Sequence, residues 1–245
     1  MHRPSEISKG RFRQPGIRVY CFPTGPVLVN YRNGHVQCLL PVAAALWRDA
    51  AATGRLDLIP PVLATRLLNT GLLTRTVAPI PWAAPLTAKA ATASWGSVEH
   101  RAGALRPAPT GTAPAAATAL ATVLALKRLG SPRATMHRLT TALRRAVSTC
   151  RQPATHDQVQ AAVLAVRRAG WFSPARSACL EESAAAVLLL ATRRMSATWC
   201  HGVAPDPIRL HAWVQTDNGA PAAEPPSTLA YTAALTIGAR HQHQL

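Results

Sequence analysis

Between residues 176 and 216 the spacing of apolar residues changes from the period of a helix to that of a strand, and this switch constrains the architecture more than any other stretch. In 176–194 (RSACLEESAAAVLLLATRR), Leu180, Ala184, Val187, Leu188 and Ala191 recur at helical intervals. In 208–216 (IRLHAWVQT) the pleat puts Ile208, Leu210, Ala212 and Val214 on one face and Arg209, His211, Trp213 and Gln215 on the other. Pro174 and Ser177 stand where the helix would start, with Ser177 the expected N-cap, so Cys179 falls in the first turn. Unpaired backbone N–H groups and the positive dipole end stabilise a thiolate there and can bond a developing oxyanion. Glu181 and Glu182 oppose this by adding negative charge nearby. His211 lies on the polar and aromatic face, and a carboxylate follows at Asp217 or Glu224. Thiol at a helix start, imidazole on a strand and acid just beyond is the arrangement a cysteine nucleophile needs to cleave or transfer an acyl group. Asp217 sits in a turn sequence (TDNG) that explains it without chemistry, whereas Glu224, before Pro225 and Pro226, has no comparable local explanation.

The remaining composition narrows the classes. A chain of 245 residues with 48% hydrophobic content can bury one large core or two modest ones. Its longest near-continuous apolar runs, Ala115–Leu126 and Ala184–Ala191, fall short of the roughly 18 to 20 residues of a membrane span, so no span is expected. The amino terminus is basic but lacks the apolar segment of a secretory signal, which predicts a cytoplasmic location. The five cysteines then read as thiols rather than a disulfide frame. The net charge of +17 is nearly all arginine, lysine occurring only at positions 9, 89 and 127. Such an excess favours acidic partners, but the arginines are spread along the chain, and nucleic acid is not the expected partner. No Gly-rich phosphate loop is present, so use of ATP by this chain is not expected. Cys200, His201 and His211 fall short of a zinc ligand set. No metal or cofactor is expected.

Two modules are expected. Residues 1–78 hold three short strands (IRVYCF, VLVNY, VQCLL), a tight turn at Asn33-Gly34, a helix from Pro41 to Gly54 and a second helix at roughly 57–70. Residues 79–114 are rich in Pro, Ala, Thr and Gly and read as a linker, although Trp82 and Trp95 suggest that parts of it dock. Helical periodicity resumes at 115–129, 135–149 and 157–169 and runs into the Cys179 segment, so 115–245 forms the second module.

The stretch 199–232 (WCHGVAPDPIRLHAWVQTDNGAPAAEPPSTLAYT), with CLEES at 179–183, resembles the peptidase domain of lasso-peptide B proteins. That resemblance covers roughly 115–240 and implies a papain- or transglutaminase-like cysteine peptidase domain, with helices packed on a short antiparallel sheet, that removes the leader of a ribosomally made precursor. It implies Cys179 as nucleophile and His211 as base. The family's acid, usually an Asp about a dozen residues past the histidine, falls on Glu224 with one residue inserted near Asn218; Asp217 matches a turn acid without a catalytic role. The same resemblance implies a separate ATP-dependent macrolactam cyclase as partner.

Residues 17–75, and most visibly GPVLVNYRNGHVQCLLPVAAALW (25–47), resemble PqqD-like leader-recognition elements. The overall expectation is an α+β protein: a small winged-helix-like N-terminal module plus the peptidase domain. In such modules the leader adds a strand beside the third strand and reaches toward the last helix, which would place it against Val36, Cys38, Leu63, Arg66 and Leu67. A winged helix could equally bind DNA. Leu63, Leu67 and Leu68 with a single Arg66 suit an apolar peptide groove better than base edges.

Overall fold

The computed structural model describes residues 10–11, 16–22, 25–75, 86–87, 113–175, 177–205 and 208–238. The chain divides into two compact units, Met1–Ala90 and Ala91–Leu245.

In the first unit, β1 (Gly10–Arg11) precedes a hairpin of β2 (Ile17–Phe22) and β3 (Gly25–Asn30), in which Val19 opposes Leu28. Gly25 is required at the hairpin: its φ is +126°, and a Cβ there would lie 2.3 Å from the Leu39 carbonyl oxygen. β4 (Val36–Cys38) pairs with the other side of β3, Val36 opposite Val29. The Asn33-Gly34 turn lies in this second connection, where the Gly34 N–H donates to Asn30 O at 2.7 Å. α1 (Pro41–Thr53) starts on a proline, as its sequence predicts, and ends at Gly54, whose φ is +75°. The second helix differs from expectation. Residues Leu56–Leu58 make only a 3-10 turn, and α2 runs Pro61–Asn69. The cause is local: Ile59 precedes a proline and is held extended at φ −114°, ψ 148°, so no helix passes through it. The amides of Asn30 and Asn33 then donate to Gly71 O and Thr70 O, at 3.0 and 2.9 Å, and tie the hairpin to the end of α2.

β5 (Thr74–Arg75) pairs with β1, and β6 (Leu86–Thr87) runs parallel to β2, giving a sheet ordered β4-β3-β2-β6. A short piece of the Pro/Ala-rich stretch thus joins this sheet. The rest of that stretch up to residue 112, with Trp82 and Trp95, lies outside the described residues. Trp47, Leu28, Leu67, Leu72 and Leu73 fill the core between sheet and helices.

The second unit is built around one helix. α3 (Ala113–Arg128), α4 (Thr135–Ser148) and α5 (His156–Trp171), close to the predicted intervals, surround α6 (Cys179–Thr192). Ala184, Ala185, Ala186, Val187, Leu189 and Leu190 are all buried, so α6 is apolar around its circumference, as a central helix must be. Thr155 caps α5 reciprocally with Gln158. β7 (Gln152–Pro153) pairs parallel with β8 (Met195–Ser196). β9 (Thr198–Pro205), β10 (Ile208–Gln215) and β11 (Thr232–Ile237) form an antiparallel sheet ordered β10-β9-β11, with a bulge in β11 near Ala234. The result is a mixed helix and sheet architecture in which α6 packs against β10. Among the described residues no helix is long and apolar enough to cross a membrane.

Candidate active site

Cys179 is the first residue of α6, partly exposed at the helix start. The residue that caps it is not Ser177. The Ser177 hydroxyl instead donates to Glu182 Oε1 at 3.0 Å, and Ala178, extended at φ −131°, occupies the cap position. Ala178 has no side-chain acceptor, so only half a capping box exists, in which the Ala178 N–H donates to Glu181 Oε2 at 2.9 Å. The amides of Cys179 and Leu180, in the first turn, have no helical carbonyl to reach. From behind, the Trp199 indole donates to Ser183 Oγ at 2.9 Å, and that hydroxyl donates to Cys179 O at 2.6 Å. The helix start is thereby fixed to β9.

β10 brings His211 to this point. One ring nitrogen, Nε2, meets Glu224 Oε2 at 2.9 Å, and the ring also bonds the Cys179 thiol, which leaves Nδ1 to face the sulfur. The backbone N–H of Ala212 is directed at the same sulfur. Around the ring, Trp213 stacks at 5.9 Å between centroids and Tyr231 leans on it at 5.1 Å. Gly202, opposite His211 in the sheet, makes room for this: a Cβ there would stand 2.7 Å from the Trp213 ring and from Thr232 O.

Glu224 is nearly sealed, its side chain 4% exposed. Arg167, on α5, donates to Ala223 O and to Glu224 Oε1, each at 2.5 Å, while its Nε lies 3.6 Å from Glu182 Oε2. Thr228 Oγ1 donates to Glu224 Oε2 at 3.3 Å. Ala223, just before the acid, has φ +53°, an uncommon conformation for a residue with a Cβ, and the Arg167 bond to its carbonyl holds it there. The expectation that Glu181 and Glu182 oppose the thiolate is met in part. Glu181 pushes the thiol pKa up, but it pairs with Lys127, and Glu182 is held by Ser177 and Arg167.

The electrostatics single out one thiol. Burial is the largest influence on Cys179 and alone would raise its pKa, but the hydrogen bond and charge of His211, with the Ala212 N–H, outweigh it, and the net value falls below the ordinary 9.0. His211 is likewise opposed by burial, yet its bonds to Cys179 and Glu224 and their charges lift it to about 9. Both shifts move the pair toward a thiolate beside an imidazolium. Cys200 is pushed up to about 12 by burial, and burial also raises Cys21, Cys38 and Cys150. His201, opposite Ala212 in the sheet, is driven down to about 4 by burial and by the charge of His211, and stays neutral. Such a pair can attack a carbonyl carbon and return a proton to the group that leaves.

The structure thus brings Cys179, His211 and Glu224 together, while Asp217 stays in its turn between β10 and the 220–222 segment. Sequence reasoning missed Arg167, Gly202 and the Trp199–Ser183 link. Among the described residues no cluster of His, Cys, Asp and Glu could hold a metal ion. A cavity of about 400 Å3 between α3 and α5, lined by Leu120, Leu124, Ala169, Phe172 and Arg168 among others, contains none of the three site residues. In the first unit, Val36 and Cys38 are exposed on β4, an edge strand, and Arg66 is exposed on α2, with Leu63 half-buried. Leu67 is a correction: it is fully buried, its side chain turned into the core, and it offers no surface to a ligand.

Comparison with known proteins adds a family. No curated protein and no solved structure matches the chain significantly. Residues 120–236, which contain all three site residues and Arg167, match the model of the transglutaminase-like superfamily. Within the second unit, residues 120–236 therefore carry a transglutaminase-like domain, a fold that is usually that of a cysteine protease or acyltransferase.

Proposed function

We propose that the chain is a cysteine peptidase that binds and removes the leader of a ribosomally made precursor during lasso-peptide maturation. The observation that carries this reading is the contact of a lowered thiol at a helix start with an imidazole whose far nitrogen rests on a buried carboxylate. Cys179 Sγ, as thiolate, attacks the scissile carbonyl carbon, and the amides at the start of α6 receive the developing oxyanion. The tetrahedral species collapses as His211 Nδ1 gives its proton to the departing amine, which leaves a thioester and one free fragment. His211 then takes a proton from water, the hydroxide adds to the thioester carbonyl, and the thiolate departs. Glu224 keeps the ring in the tautomer that faces the sulfur and stabilises its positive charge.

The first unit is read as a PqqD-like, winged-helix module that holds the leader. Among the described residues β4 is a sheet edge, and this unit also exposes Leu40, Val42 and Val62, at 77%, 78% and 82%. An extended leader adding a strand at Val36–Cys38 and packing toward Leu63 and Arg66 would cover apolar side chains exposed on this unit. Holding the leader here raises the local concentration of the scissile bond at Cys179. The released core passes to a separate ATP-dependent cyclase, and the reaction is assigned to the cytoplasm.

The test is mass spectrometry of candidate precursor peptides incubated with wild-type and Cys179→Ala protein. Cleavage at one bond by the wild type and none by the variant is expected. Transfer of the acyl group to an added amine, with no hydrolysis, would replace the peptidase reading by an acyltransferase. No covalent step at Cys179 would leave a binding protein.

A further inference from the structure

We infer that the substrate at this site is an extended peptide that joins the three-stranded sheet at the open edge of β10, against Ile208 and Leu210, and so delivers its scissile carbonyl to Cys179. The inference rests on the peptidase reading above and names the conformation and side chains that the peptide must have.

The outer edge of β10 is defined by its bonds. Val214 O accepts from Ala222 N at 3.0 Å, and Thr216 N donates to Ala220 O at 3.1 Å, flanking the Gln215–Pro221 bridge. Both groups therefore point away from β9. Residues two apart along a strand direct their backbone groups the same way, which agrees with the Ala212 N–H reaching outward to the Cys179 sulfur. The same parity puts the N–H and C=O of Leu210 and Ile208 on this edge. From Ala212 onward the edge is occupied, first by the nucleophile and then by the 220–222 segment. Before Ala212, among the described residues, nothing bonds the outward groups of Leu210.

An exposed strand edge is a template for another strand, and its distance from the chemistry sets what that strand does. Leu210 and Ala212 are successive outward positions, about 7 Å apart along the strand. A peptide paired with Leu210 has its next outward carbonyl near the sulfur that Ala212 addresses. Side chains narrow the class. Ile208 and Leu210, 36% and 40% exposed, share one face of β10, so the paired peptide gains by placing an apolar residue beside Leu210. Arg209, partly exposed, lies on the other face and favours an acidic residue there. The ligand is thus an extended segment with an apolar residue and, on its opposite face, an acidic one next to the bond that is cut.

Two measurements test this on the full chain. In the first, synthetic peptides spanning the bond that the wild type cleaves carry an N-methyl group at one amide at a time. Pairing predicts losses in kcat/KM of about three- to tenfold at alternate positions only, the worth of one backbone hydrogen bond. The second is Leu210→Pro, which removes an outward N–H that β9 does not use and is tolerated at a sheet edge. It is expected to lower kcat/KM by a similar factor while iodoacetamide labels Cys179 at the wild-type rate. N-methylation losses without the two-residue alternation overturn the inference, as does a Leu210→Pro protein that labels and cleaves like wild type. Should Leu210→Pro misfold, the peptide series on the wild type decides alone. If the wild type labels at Cys179 but cleaves no precursor, the peptidase reading itself falls.

Discussion

Glu224→Gln isolates the part that charge has in activating Cys179, because it keeps the shape and an acceptor oxygen for His211 while removing the negative charge. His211 stands near 9 instead of 6.5, and each tenfold in proton affinity is worth about 1.4 kcal/mol, so the imidazolium is favoured by about 3 kcal/mol. Cys179 and Glu224 supply this between them through hydrogen bonds and charge. With the Glu224 charge gone, the variant is expected to weaken the thiolate–imidazolium pair by about 1–2 kcal/mol, on the order of tenfold in its equilibrium constant. The assay is iodoacetamide alkylation of Cys179 at neutral pH, followed by mass spectrometry of the intact protein. Glu224→Gln is expected to react about tenfold more slowly than wild type, and Asp217→Asn at the wild-type rate. A slow Asp217→Asn with a normal Glu224→Gln would transfer the role to the turn acid. Normal rates in both would refute the view that a carboxylate tunes this sulfur.

The pH dependence of cleavage follows from the same pair. As pH rises through about 9, His211 loses the proton it gives to the leaving amine, and as pH falls through the lowered Cys179 value the thiolate is lost. The profile of kcat/KM is expected to be a bell with its basic limb near 9, and a basic limb near 6.5 would contradict the geometry. Arg167→Met leaves Glu182 and Glu224 buried without their shared cation and is expected to cost about 3–5 kcal/mol in urea unfolding. Arg167→Lys restores the charge but not the two-pronged donor, and should recover only part of that loss. Gly202→Ala drives a methyl into the Trp213 ring, with an expected cost of about 1–3 kcal/mol and slower alkylation of Cys179 as the His211 stack shifts. Unchanged melting and alkylation in Gly202→Ala would show that Trp213 yields without consequence.

What could be read from the sequence divides along the range of the forces involved. Helix α6 and strand β10 follow from local periodicity, and with them came Cys179 at a helix start and His211 on a polar face. Local rules were less reliable where a side chain had a more distant partner. Ser177 has the composition of an N-cap, but a hydrogen bond to the buried Glu182 is the better use of its hydroxyl, and Glu181 takes over the cap from inside the helix. Leu67 occupies the correct position for a groove by helical spacing, yet spacing gives a face and not its neighbour, and that face meets the core. Arg167 left no trace in the sequence because the residues it joins, Ala223 and Glu224, lie 56 and 57 positions away. The acid shows why the missing part matters. Glu224 had no local explanation in the sequence because its explanation is Arg167, which holds both the carboxylate and the left-handed residue before it. A loop otherwise free to choose its conformation is thereby made to present one oxygen to one ring nitrogen. The reactivity of the Cys179 sulfur therefore depends on a helix that carries neither the nucleophile nor the base, and a sequence can keep its cysteine and histidine motifs intact while losing the chemistry by a change at residue 167.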